Sequence, residues 1–99
     1  MKHYHFAPKE NRHNILRNGL KVMPSNFQNN PDGIYMWTED PRISIKIKDM
    51  GADYKESCGD LWEVDIKEKA TFNDLWLPYA VYVVEDIPTT DIKLINNNT

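Results

Sequence analysis

Polar and apolar residues alternate with a period of two in several short stretches of this 99-residue chain. That spacing sends successive side chains to opposite faces of a β-strand. Lys2 to Phe6 predicts a strand with His3 and His5 on one face and Tyr4 and Phe6 on the other. Ala7-Pro8 ends it. Lys9 to Asn18 predicts a short helix with Ile15 and Leu16 as its apolar contacts. Gly19 follows, suited to the left-handed conformation common just past a helix end, and Leu20 returns to the core. Lys21 to Gln28 is irregular around Pro24. Asn29-Asn30-Pro31-Asp32-Gly33 is a turn, because Pro presets one dihedral and Gly accepts a positive one. Gly33 to Thr38, GIYMWT, alternates again, with Ile34, Met36 and Thr38 on one face and Tyr35 and Trp37 on the other.

The next stretch, PRISIKIK, admits two readings. Ile43, Ile45 and Ile47 alternate with Arg42, Ser44, Lys46 and Lys48, as in a strand. Thr38 or Asp40 ahead of Pro41 is a helix-start signal, and Ile43, Ile47 and Met50 share a helical face. Gly51 to Gly59 is a polar loop. Leu61 to Ile66 predicts a strand with Trp62, Val64 and Ile66 inward and Glu63 and Asp65 in water. Lys67 to Pro78 reads as a connection anchored by Phe72, Leu75 and Trp76. Tyr79 to Glu85 is the best candidate for a central strand. Asp86 to Thr90 interrupts it, Asp91 to Ile95 is a last strand, and Asn96 to Thr99 is a frayed tail. The sum is one α+β domain over residues 1–95, a small split or bent sheet with one or two short helices.

Composition narrows the function classes. Hydrophobic residues make up 40% and charged residues 27%, ordinary for a globular domain. The net charge of −3 lacks the basic excess of a nucleic-acid binder, so a nucleic-acid partner is not expected. No apolar run reaches the length of a membrane span, and the start, MKHYHFAP, carries no signal-peptide core. A single cysteine, Cys58, cannot close an internal disulfide, so a reducing, cytoplasmic setting is the simpler expectation. Its neighbours in ESCGD are acidic and disfavour a nucleophilic thiolate.

The candidate chemistry is sparse. His3 and His5 form an H-x-H pair, but zinc needs a third or fourth ligand, and none stands at a recognised spacing. These two histidines therefore read as residues of a partly exposed strand, with no metal site expected. No phosphate loop and no nucleophile elbow is present. The more informative set joins two strands: His5 with His3 beside it, and Tyr35 with Trp37 beside it. If the strands come together, imidazole and aromatic rings would line one cleft. Rings stack on a planar base, and an imidazole can hydrogen-bond a ribose hydroxyl.

The run YHFAPKENRHNILRNGL resembles the opening of small ADP-ribosyltransferase-fold proteins, which include RNA 2′-phosphotransferases and bacterial toxins. Tyr4-His5, Ile15-Leu16 and Gly19-Leu20 carry the match. GIYMWTED resembles the second family motif, in which a helix follows the strand, and this favours the helical reading after Pro41. LWEVDI and AVYVVEDIPTTDIKLI resemble the later strands. The resemblance implies that His5 contacts the ribose of NAD and that Tyr35 packs on the nicotinamide, these two being the catalytic candidates. His3, Trp37 and Thr38 would complete the cofactor wall. The family's late-strand glutamate does not carry over. Its place holds Ala80 or Val81, and Glu85 lies at the far end of that strand, roughly 10 Å or more away. The implied function is a reduced NAD-binding or nucleotide-binding member that could transfer ADP-ribose. The alternative is a non-catalytic interaction protein, such as a phage-encoded inhibitor of a host factor, built on the same scaffold.

Overall fold

The computed structural model describes residues 2–24, 31–49, 59–74 and 78–95. Six strands form one antiparallel sheet: β1 (Lys2–Ala7), β2 (Ile34–Trp37), β3 (Asp60–Asp65), β4 (Phe72–Asn73), β5 (Ala80–Val83) and β6 (Ile92–Leu94). Their spatial order is β4-β5-β2-β1-β3-β6. Among the described residues the other elements are helices α1 (Arg12–Asn18) and α2 (Ile45–Asp49), with 3-10 turns at Lys9–Asn11 and Thr89–Asp91. The class is a small α+β domain. Among the described residues no helix is long and apolar enough to cross a membrane.

The sheet is held unevenly. β1 and β3 share six register pairs, from Lys2↔Asp65 to Ala7↔Asp60. β1 and β2 share one, Tyr4↔Trp37. Beyond that pair no register pair joins the two strands among the described residues, although all six strands belong to one sheet.

Register and alternation sort the side chains. His3, His5, Ala7, Ile34, Met36, Trp62, Val64 and Val83 lie on one face. The apolar members of that set pack with Ile15, Leu20 and Ile87 into the main core. The second face carries Tyr4, Phe6, Tyr35, Trp37, Glu63 and Tyr82. Leu61 belongs to this second face and has no exposed surface, so that face is covered at β3.

Several expectations change in detail. The predicted helix from Lys9 opens as a 3-10 turn and becomes α-helical only at Arg12, and Leu16 on it is exposed. PRISIKIK takes the helical form, but only from Ile45. Ser44 caps α2, accepting from the Ile47 N–H at 3.3 Å while its hydroxyl donates to Glu39 Oε1 at 2.8 Å. Ile47 is buried, whereas Ile43 is 75% exposed. Phe72 does not anchor a connection: it is exposed and forms β4, an edge strand that two residues cannot announce by periodicity. Tyr79 to Glu85 shortens to β5, an interior strand between β4 and β2, while β2 and β1 occupy the middle. His3 is not partly exposed. Only 4% of its surface is accessible, because it sits on the core face opposite Val64. The readings at residues 25–30, at Met50, at the loop 51–58 with Cys58, at Leu75 and Trp76, and at the tail 96–99 lie outside the described residues.

Candidate functional site

A cleft of about 450 Å³ opens beside β1 and β2. His5 and Phe6 come to it from β1, and Tyr35 and Trp37 from β2. Ile15 of α1 and the segment from Gly19 to Pro24 form the opposite wall.

Each wall is fixed by contacts remote in sequence. The start of α1 is tied to β3 by a two-pronged ion pair: Arg12 Nε donates to Asp60 Oδ2 at 2.7 Å and Nη2 to Oδ1 at 2.6 Å. The Asp60 side chain is wholly buried. Its hydrogen bonds raise the pKa of the Arg12 guanidinium. A planar fork meeting a planar carboxylate fixes direction as well as distance, so α1 is aimed over the core face. After α1, Leu20 and Ile87 exchange backbone hydrogen bonds at 2.9 and 2.8 Å. Asp86 accepts from the Val22 N–H at 2.8 Å, which pulls its carboxyl below the usual carboxylate range. Lys21 reaches the same carboxylate at 3.5 Å.

His5 Nδ1 lies 2.7 Å from the backbone oxygen of Tyr35. A carbonyl can only accept, so Nδ1 carries the proton. Burial pushes the imidazole below its ordinary pKa, and the bond to Tyr35 opposes that shift without cancelling it. The ring is therefore neutral at pH 7, and Nε2 is an unprotonated acceptor. Below the ordinary histidine value of about 6.5 the unfolded chain takes up a proton that the folded chain resists, so stability falls as pH falls through that window. The wild type is expected to lose more stability between pH 7 and pH 5 than His5→Gln, measured by urea unfolding at both pH values. Equal losses would show that His5 is not held neutral.

The aromatic side of the cleft is also preset. Phe72, Tyr82 and Tyr35 stand opposite one another across β4, β5 and β2. Their rings are 5.4 and 4.9 Å apart, within the range of favourable offset packing. The Tyr35 hydroxyl donates to the Pro31 carbonyl. Tyr35 is thus held by its ring at one end and its hydroxyl at the other.

His5, Tyr35 and Trp37 meet in this cleft. They do not share a sheet face: register puts the side chains of Tyr35 and Trp37 on the face opposite to the imidazole, and it is the backbone oxygen of Tyr35 that meets His5. His3 and Thr38 do not line it. His3 is in the core, and the Thr38 hydroxyl and N–H both donate to the Tyr79 carbonyl, at 3.1 and 2.9 Å. Ala80 lines the cleft at the first position of β5, while Glu85 is exposed past its end. Sequence reasoning missed Asp74, a half-buried carboxylate at the cleft just after β4, and the amide side chains of Asn11 and Asn14. None stands in a motif; only the pairing of β4 with β5 brings Asp74 there. Among the described residues no three His, Cys, Asp or Glu side chains gather as metal ligands. Set beside protein-family models, curated proteins and solved structures, the chain matches none of them.

Proposed function

We propose that the chain is a reduced ADP-ribosyltransferase-like protein whose central cleft binds NAD or a related nucleotide. The observation that carries this reading is His5. Its Nδ1 is committed to the Tyr35 carbonyl and its Nε2 is left as an acceptor. The nicotinamide ribose would donate a hydroxyl to Nε2, and the planar ring would lie against Tyr35, with Trp37 closing the side. A cleft of about 450 Å³ lies within the usual range for small-molecule sites. The single register pair between β1 and β2 is compatible with the split or bent sheet that the family resemblance implies. Binding is the core of this proposal and transfer of ADP-ribose is not, because by the resemblance Ala80 or Val81 takes the place of the family's glutamate.

A second reading is favoured by one observation. Ile43 and Ile45 expose 75% and 72% of their surface around the start of α2. Exposed apolar residues suit a protein partner, as an inhibitor of a host factor would need.

Calorimetric titration with NAD separates the two readings. The wild type is expected to bind, and His5→Ala is expected to lose binding while its melting transition stays cooperative. Equal affinity in a folded His5→Ala would sink the cleft model. Absence of binding in the wild type would leave the interaction reading.

A further inference from the structure

We infer that Asn18 is a deamidation site guarded by the fold, and that its modification unfastens the wall of the cleft. Asn18-Gly19 is the chain's one Asn-Gly pair. In such a pair the backbone nitrogen of the glycine attacks the Cγ of the asparagine. Glycine leaves that nitrogen least hindered, because it has no Cβ. The new N–Cγ bond closes a succinimide ring. The Cγ–Nδ2 bond breaks, and Nδ2 leaves as ammonia with the proton that the backbone nitrogen gave up. Water then opens the ring at either carbonyl. One product is aspartate; the other is isoaspartate, whose main chain runs through the side-chain carbon.

The native contacts oppose this attack. Asn18 is exposed, but it is the last residue of α1. Helical ψ keeps the following nitrogen out of the plane in which the ring closes. The Gly19 N–H donates to the Ile15 carbonyl at 2.8 Å, which holds the proton that must leave. The leaving nitrogen is held as well, since Asn18 Nδ2 donates to Asn14 Oδ1 at 2.6 Å. Reaction therefore draws on the population in which the last turn of α1 is open. The isoaspartyl product adds a carbon to the main chain just before Gly19. There is no room for it: even a Cβ on Gly19 would overlap the Ile87 oxygen, to which the Leu20 N–H donates. The longer chain must displace Gly19 and Leu20, which both line the cleft.

Peptide mapping by mass spectrometry tests this after incubation in mildly alkaline buffer, with and without denaturing urea. Asn18→Ser serves as the blank. In urea Asn18 is expected to convert ahead of every other asparagine, and another asparagine leading there overturns the site. In the folded chain conversion at Asn18 should be at least about tenfold slower than in urea. Equal rates overturn the guard. The isoaspartyl fraction, separated and returned to buffer, is expected to melt several degrees below Asn18→Asp, which carries the same charge on an unaltered main chain. A melt equal to that of Asn18→Asp overturns the effect on the cleft wall.

Discussion

Gly19→Ala is expected to lower stability by more than the roughly 1–3 kcal/mol that a forbidden backbone conformation costs alone. Gly19 has φ 77° and ψ −168°, a region that essentially only glycine occupies. Space is also lacking, because an added Cβ would overlap the backbone oxygen of Ile87. That oxygen accepts from the Leu20 N–H, so the chain cannot retreat without breaking the bridge that pins the cleft wall. Each kcal/mol moves the melting point of a domain this size by about 4–8 °C. A fall of about 10 °C or more in a thermal melt is therefore expected. A melt within a degree or two of wild type would mean that the segment relaxes freely.

Trp62→Ala is the second large effect, at about 3–5 kcal/mol. Trp62 is the largest of the fully buried side chains, only 1% exposed. It stands on β3 between His5 on one neighbour and Leu94 on the other. Its removal opens a void beneath the strand that carries His5. Small domains hold only about 5–15 kcal/mol in total, so the variant should be close to unfolding at 37 °C. Trp62→Phe should behave differently. The indole Nε1 is buried with no hydrogen-bond partner, and an unmet donor costs about 1–3 kcal/mol. Phenylalanine keeps most of the ring and removes that donor. Urea unfolding should place Trp62→Phe much nearer the wild type than Trp62→Ala. Equal losses would show that the indole N–H is satisfied in solution.

The helix that ends at Gly19 and the strands around Tyr4, Tyr35 and Val64 were legible because their signals are local. Alternation with a period of two, a glycine after a helix and a proline in a turn act through neighbouring dihedrals. PRISIKIK was legible only in part, since its alternation and its helix-start signal conflict. Burial of Ile47 and the Ser44 cap settle it as a short helix. β4 was not legible, for two residues carry no period and pair only because β5 lies beside them.

The site divides in the same way. The sequence by itself determined the residue types that could meet a nucleotide, His5, Tyr35 and Trp37, and the parity of each along its strand. It also showed that the start of β5 carries no glutamate. Tertiary structure alone decided that β1 and β2 share a single register pair. It buried His3, turned Thr38 to the Tyr79 carbonyl, and brought Asp74 beside Ala80. It joined Arg12 to Asp60 across 48 positions and His5 to Tyr35 across 30. The reason is physical. Periodicity records which way a side chain points from its own backbone, whereas adjacency depends on which distant strand offers the complementary hydrogen bonds and apolar surface.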